Sequence, residues 1–416
     1  MKQRALILLF LTLTTFSFAQ TEIIAFETMD NKWGFLSPDG EVIIKDQYID
    51  AHSFTSAGMA MVHDEKARRW KLIDKNNEEI KLSISNFEPK SVLFGVQKGF
   101  KNDLLKIVSD KKLGYINGSG ELIHKPIYNR LSEFKDKYAI GEIGKDFYLL
   151  NQAGNSVSVL GDITHVSHVV NGFAPYRNKK KQFGFINEKG KIVIEAKFKK
   201  VGYFYNGIAW ARTAEGLIGY INTSGDWVIE PQFKSGTDFD SGAGIVKVQL
   251  GEQLLFMKKS GETFSVEGMT QAGEFSDGLA WVRVGEKCGY INPKGEWVVE
   301  PQYTKAQNLK DGHGLVKKDD HWGFIDRTGK LIVQPIYEKF GDFQNDLMAA
   351  RLNGKWGFIN EYGKVIVEPT YEAVRAFKNE YAAVRVNGAW GLIDKAGKFV
   401  IKPQYHRLKD VEIIKN

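Results

Sequence analysis

Cysteine is nearly absent from this 416-residue chain: Cys288 stands alone. That excludes an internal disulfide framework, and short turns built on Gly or Pro must stiffen the fold instead. Beyond Phe18 no apolar run is long enough to cross a membrane as a helix, which takes about 20 residues. Chemical motifs are missing as well. No serine sits in a nucleophile elbow, no glycine-rich loop leads from a strand into a helix to hold phosphate, and no helical two-histidine metal motif occurs. His165 and His168 have no cysteine nearby and read as a surface pair. Charge of one sign is not concentrated either: the formal balance is +7, with lysines and acids interspersed, so nothing argues for nucleic acid. No cofactor or metal is expected.

The first nineteen residues read as a secretory signal. Lys2 and Arg4 precede an apolar run from Ala5 to Phe18, and small residues at Ser17 and Ala19 place the cut after Ala19. No cysteine follows that would carry a lipid. Losing Lys2 and Arg4 lowers the balance from +7 to +5.

The remainder repeats. HWGFIDRTGKLIVQPIY, KWGFINEYGKVIVEPTY and AWGLIDKAGKFVIKPQY follow one another with their glycines Gly323, Gly357 and Gly391 spaced by 34 residues. Fixed periods of this size mark stacked supersecondary units. Eleven anchors trace the phrase: Gly34, Lys71, Gly114, Tyr148, Gly184, Gly219, Leu255, Gly289, Gly323, Gly357 and Gly391. Six residues past each stands a glycine, except Asn77, and Asn is the best non-glycine residue at positive φ.

In the last unit Tyr381–Val386 alternates as a strand, Asn387-Gly388 predicts a two-residue hairpin, and Trp390–Ile393 makes a second strand. Asp394 opens a further turn that Gly397 closes, and Lys398–Ile401 is a third strand, ended by Pro403 for want of an amide hydrogen. Trp33, Trp322, Trp356 and Trp390, and the aromatics fourteen residues past their anchors, read as core packing. Cys288 occupies the tryptophan position and reads as a buried apolar filler.

These residues resemble the WG-repeat family, named for the Trp-Gly pair. The resemblance implies a β-rich repeat module associated with binding and often exported, and it brings no catalytic residue. The expected architecture is all-β: about eleven three-stranded antiparallel units. An open, gently curved array is favoured, because propellers usually have about 4 to 8 blades and a spare strand at Val411–Ile414 reads as a cap. A ring closed by that strand is the alternative. The domain reading is a signal peptide at 1–19, partly degenerate repeats at 20–110 and the regular array at 111–416.

Residues that the repeat does not require are the candidate site. Trp210, Trp227, Trp281 and Trp297 lie in the two units flanking the degenerate one at Leu255 and read either as an aromatic ligand surface or as a wider core. Arg212 and Arg283 belong to a basic row with Arg177, Lys317, Arg351 and Arg385; it either grips an anionic polymer or pairs with an acidic row, Glu195, Glu230, Glu300 and Glu368. The reading is an exported, monomeric, non-enzymatic scaffold in the periplasm or outside the cell, binding a protein or a polysaccharide. A secreted carbohydrate-active enzyme or its accessory subunit is the alternative, since paired carboxylates on one rim would serve a glycosidase.

Overall fold

Each unit turns where its left-handed residue stands. The residues six past the anchors all have positive φ, from 67° at Asn77 and 71° at Gly190 to 90° at Gly40. The Asn or Asp three past the anchor holds the same turn: Asp394 Oδ1 accepts the amides of Ala396 and Lys398, and Asn222 Oδ1 those of Ser224 and Asp226. Asn387 and Gly388, at φ 49° and 79°, form the expected hairpin between Tyr381–Val386 and Ala389–Asp394. The computed structural model describes residues 20–82, 88–89, 99–239, 242–344 and 346–415. The leader at 1–19 and most of the irregular stretch from Leu82 to Gly99 lie outside them.

The Trp-Gly glycine has a steric cause. The third strand bulges opposite it: in the unit at Gly219, Ile218 pairs with Phe233 and Tyr220 with Ile229, so Glu230, Pro231 and Gln232 bow out against one glycine. A Cβ on Gly219 would lie 2.5 Å from the Ile229 carbonyl oxygen and 2.8 Å from the Pro231 nitrogen. The carbonyl collision recurs at Gly34, Gly114, Gly184, Gly289, Gly323, Gly357 and Gly391. Proline suits the bulge because no amide hydrogen is wanted there. It does not end the strand, as expected for Pro403: the strand Phe399–Tyr405 runs through it and Tyr405 pairs with Trp390. The tryptophan and the tyrosine of the phrase are thus cross-strand partners, with Cys288 and Tyr303 in the same relation.

The units carry a strand that the periodicity does not announce. One residue past seven of the third strands the chain forms a two-residue strand that opens the next sheet, as Lys200–Val201 precedes Ile208–Arg212, Ile218–Asn222 and Trp227–Phe233; the strands in that place at Ile163–Val166, Met269–Ala272 and Lys339–Gln344 are longer. The sheet order follows the chain, so the third strand lies at one edge. Among the described residues there are eleven such sheets, called blades 1 to 11 after their anchors.

Blade 1 decides between array and ring. Its first strand, Thr21–Glu27, has no preceding unit to provide a short strand, and the residues after the last third strand take that place: Arg407–Leu408 pairs with Glu27 and Phe26. Glu412–Ile414 then pairs with Ile23, Glu22 and Thr21. The C-terminal strand is therefore part of blade 1 and not the cap of an open stack. The buried cores agree. Each of eleven clusters straddles one pair of neighbouring blades, and one of them joins Ala383, Leu392 and Ile401 of blade 11 to Ile24, Phe26 and Leu36 of blade 1. An open array of eleven units has ten interfaces, whereas a ring has eleven. The protein is a closed, propeller-like ring. Burying Ile24, Phe26, Leu36, Leu392, Ile401 and Leu408 at the closing interface favours closure by on the order of 10 kcal/mol before the entropy of ordering is subtracted.

Candidate functional site

The four additional tryptophans are all half-buried, and they go to four different interfaces. Trp227 packs between blades 5 and 6, with its ring edge-on to Phe198 at 5.6 Å; Trp210 packs between blades 6 and 7. Trp297 joins the core between blades 7 and 8, and Trp281 the core between blades 8 and 9. The fold spreads them around an arc and leaves part of each ring open. Trp210 and Trp281 owe their positions to glycines, since a Cβ on Gly202 or Gly273 would collide with the indole.

Apart from Arg177, whose Nε is buried without a hydrogen-bond partner among the described residues, the basic row turns to the backbone or to local acids. Arg212 donates to the carbonyls of Gly216 at 2.8 Å and Lys234 at 3.4 Å, and Arg283 to those of Glu286 at 3.0 Å and Thr304 at 3.1 Å. Each arginine thereby ties its own hairpin to the link leading into the next blade. Arg351 and Arg385 face Glu338 and Glu372 on the same link, at 3.3 and 3.7 Å, and Lys317 pairs with Asp320. The expected pairing with Glu195, Glu230, Glu300 and Glu368 is not made among the described residues. Those carboxylates ride on the third-strand bulges and are exposed, while the arginines lie at the far end of the first strands. The middle strand of each blade lies between the two rows: Arg212 pairs with Ile218, and Ile218 in turn with Phe233 on the strand that carries Glu230.

Cys288 is fully buried, and burial pushes its thiol up from the ordinary value despite Arg283 nearby. His165 and His168 face one cavity between blades 4 and 5. Burial lowers both below the ordinary histidine value, with Arg177 beside His165 and Lys135 beside His168 acting in the same direction. Among the described residues no three His, Cys, Asp or Glu side chains gather in a metal-holding group.

A feature that sequence reading missed is the free edge of the sheets. Val42, Ile43, Ile127, Val193, Val228, Ile336 and Phe399 are more than half of the exposed large apolar side chains among the described residues, and all lie on third strands. The exposed glutamates stand among them. The signal was present in runs such as Trp227-Val228-Ile229: three consecutive apolar residues on an edge strand cannot all face the core.

A family model described as WG containing repeat matches residues 33–63, 114–143, 183–215, 218–250, 270–288, 289–320, 322–356, 356–388 and 390–412, more than half of the chain. No curated protein matches. Among solved structures the chain is similar to the computationally designed Ika8 protein, at 12% identity and TM-score 0.34, over 65% of this chain and 93% of that one. It is similar to BamB from Moraxella catarrhalis at 12% identity and TM-score 0.30, over 64% and 91%. It is also similar to PorZ, a surface component of the type-IX secretion system of Porphyromonas gingivalis, at 11% identity and TM-score 0.25, over 90% of this chain and 58% of PorZ.

Proposed function

The chain belongs to the family of WG containing repeats, and from that premise we propose that it is an exported, non-catalytic ring scaffold that binds a protein partner along the third-strand edges. The observation that carries the reading is the set of exposed aliphatic side chains on those edges, interspersed with the carboxylates of Glu195, Glu230, Glu300 and Glu368. Aliphatic surface rimmed by charge is the composition of a protein-binding face. A glycan would instead stack on open aromatic planes, and of the exposed edge residues only Phe399 has a ring, Trp227 and Trp297 on the same strands being half-buried. Export rests on the leader read at residues 1–19. The ring gives the partner a rigid surface whose order costs nothing at binding.

The test replaces Ile127, Val193, Val228 and Ile336 together by Ser and compares the variant with the wild type. Both would be immobilised and exposed to the secreted proteins of the source culture and, separately, to a panel of cell-wall polysaccharides. The expected outcome is a protein retained by the wild type and lost by the variant at unchanged melting temperature, with neither polysaccharide retention nor release of sugar products. Equal retention by both proteins, or turnover of a polysaccharide, would contradict the proposal.

A further inference from the structure

Lysines and acids alternate over most of the chain, but not around blade 5. The 24 residues from Arg177 to Lys200 hold Arg177 and eight lysines against two acids, Glu188 and Glu195, so this stretch alone has the formal balance of +7 that the whole chain carries. The rest of the chain sums to zero. All eight lysines are exposed. Only Lys179 has an ion-pair partner among the described residues, Asp162 at 2.6 Å, while Lys197 donates to the Gly225 carbonyl at 3.4 Å.

The strands sort these lysines into two groups that meet. Lys189, Lys191, Lys197 and Lys199 alternate with Val193 and Glu195 along the third strand Ile192–Phe198 and the residues that flank it; all six side chains are exposed, and the residues between them are buried or half-buried. They form one row, in which side chains two residues apart stand about 6.6 Å from each other. Lys179, Lys180 and Lys181 form the hairpin between the first and second strands. Because Phe183 pairs with Phe198, that hairpin lies at the end of the row where Lys199 leads into Lys200. Lys200 in turn pairs with Arg212, and like charges set opposite each other across a ladder are destabilising.

The corresponding rows of other blades are charged differently. In blade 6 Asp226 and Glu230 outnumber Lys234, and in blade 8 Glu296 and Glu300 outnumber Lys294. Blade 11 has Lys398 and Lys402 on its row, but its hairpin is Asn387-Gly388, and the basic residues that follow, His406 and Arg407, are both held by Glu27 at 3.2 Å. Among the described residues, blade 5 alone joins a lysine row to a lysine hairpin.

We propose that the blade 5 row binds an acidic, extended peptide segment of a protein partner, with carboxylates at alternate residues facing Lys189, Lys191, Lys197 and Lys199 and an apolar residue resting on Val193. An extended chain presents the side chains of one face at the spacing of the row, and opposite charges on neighbouring strands favour that alignment. Exposed ion pairs alone are weak at physiological salt, so the segment also covers Val193 and the lysine stems. A polyanion without apolar groups gains little from that contact. The inference rests on the edge-strand reading and states where on the ring the partner's acidic chemistry is met.

The probe is a fluorescein-labelled synthetic peptide of about twelve residues in which glutamate alternates with valine and threonine, long enough at about 3.3 Å per residue to run beside the row. Fluorescence anisotropy at physiological salt reads its binding. The wild type should bind it saturably, and more tightly than a peptide of the same composition with its glutamates in one block. Lys189→Gln, Lys191→Gln, Lys197→Gln and Lys199→Gln together should weaken binding at least about tenfold. The same change at Lys294, Lys330, Lys364 and Lys402, exposed lysines on or beside other third strands, should leave it within about twofold. Changing the four blade 5 lysines to Glu should transfer the preference to a peptide with lysine in place of glutamate, a gain that damage to the fold would not produce. Absence of saturable binding overturns the proposal, as do equal affinity for the block peptide, equal losses in the two Gln variants, or displacement of the peptide by dextran sulfate at equal charge. Sedimentation of the ring without peptide tests the remaining occupant: self-association abolished in the Glu variant would assign the row to a second copy and overturn the proposal as well. Capture of a secreted protein by the third-strand edges, with the acidic peptide unbound, would remove this inference and leave the edge-strand reading standing.

Discussion

At the scale of single residues, the phrase that repeats along this chain is a record of steric exclusions. The Trp-Gly glycine exists because a bulged strand presses a carbonyl against it, and the turn glycine exists because φ is positive. The two roles predict different penalties. In Gly357→Ala the new Cβ meets backbone that cannot yield, including the Pro369 nitrogen at 2.7 Å, and the expected loss is ~3 kcal/mol. Gly354→Ala puts a Cβ into open space at φ 77°, at a cost of about 1 kcal/mol. Urea denaturation of the two variants checks the order, and equal losses would contradict it. The turn glycines and their Asn77 exception were legible because they depend on local backbone alone. The tryptophans were only half legible: Trp210 and Trp227 are close in sequence, yet the placement of each depends on which blade face it meets, and that follows from packing between units.

Between elements, tyrosines latch one blade to the next. Tyr115, Tyr220 and Tyr290 follow their anchors directly, and their hydroxyls donate to the carbonyls of Ser132, Thr237 and Gln307 in the following blade, at 2.7, 3.1 and 2.9 Å. Burial pushes all three phenols well above their ordinary value. A folded-state value raised above the unfolded one gives stability that is fully present below the unfolded phenol value, about 10, and lost as pH rises past it. Melting temperature should accordingly fall above pH 10, and less steeply in a variant with all three changed to Phe. That variant loses about 1 kcal/mol per hydroxyl at neutral pH; parallel alkaline profiles would contradict the latch. The arginine row carries a prediction at the same scale. Because Arg212 and Arg283 already bond backbone carbonyls, a dextran sulfate column should not retain the protein at physiological salt, and strong, salt-sensitive retention would restore the row as a polyanion grip. The two-residue strands were not legible, since two residues carry no periodicity, and the row pairing was misjudged because the spacing of anchors does not show that the middle strand lies between the two rows.

For the whole molecule, closure follows from where each blade obtains its short strand. Among the described residues every blade but blade 3 takes it from the residues that follow the previous third strand, so the first blade depends on the last. Repeat number, turn chemistry and all-β class were legible from spacing; closure was not, because the spare C-terminal strand serves a cap and a ring equally well until its partner is known. Lys409 illustrates the junction. It lies 4.9 Å above the Trp33 ring and donates to the Ala51 carbonyl at 2.5 Å, joining the end of the chain to blades 1 and 2. The register places Glu22 opposite Ile413, with Cα atoms at the separation that a disulfide accepts. In a Cys288→Ser background, oxidation of Glu22→Cys with Ile413→Cys therefore tests the ring directly. Closure predicts a monomeric, internally bridged protein that migrates faster on a non-reducing gel and melts at a higher temperature. Free thiols, or bridges only between molecules, would mean that the two ends of the chain do not meet.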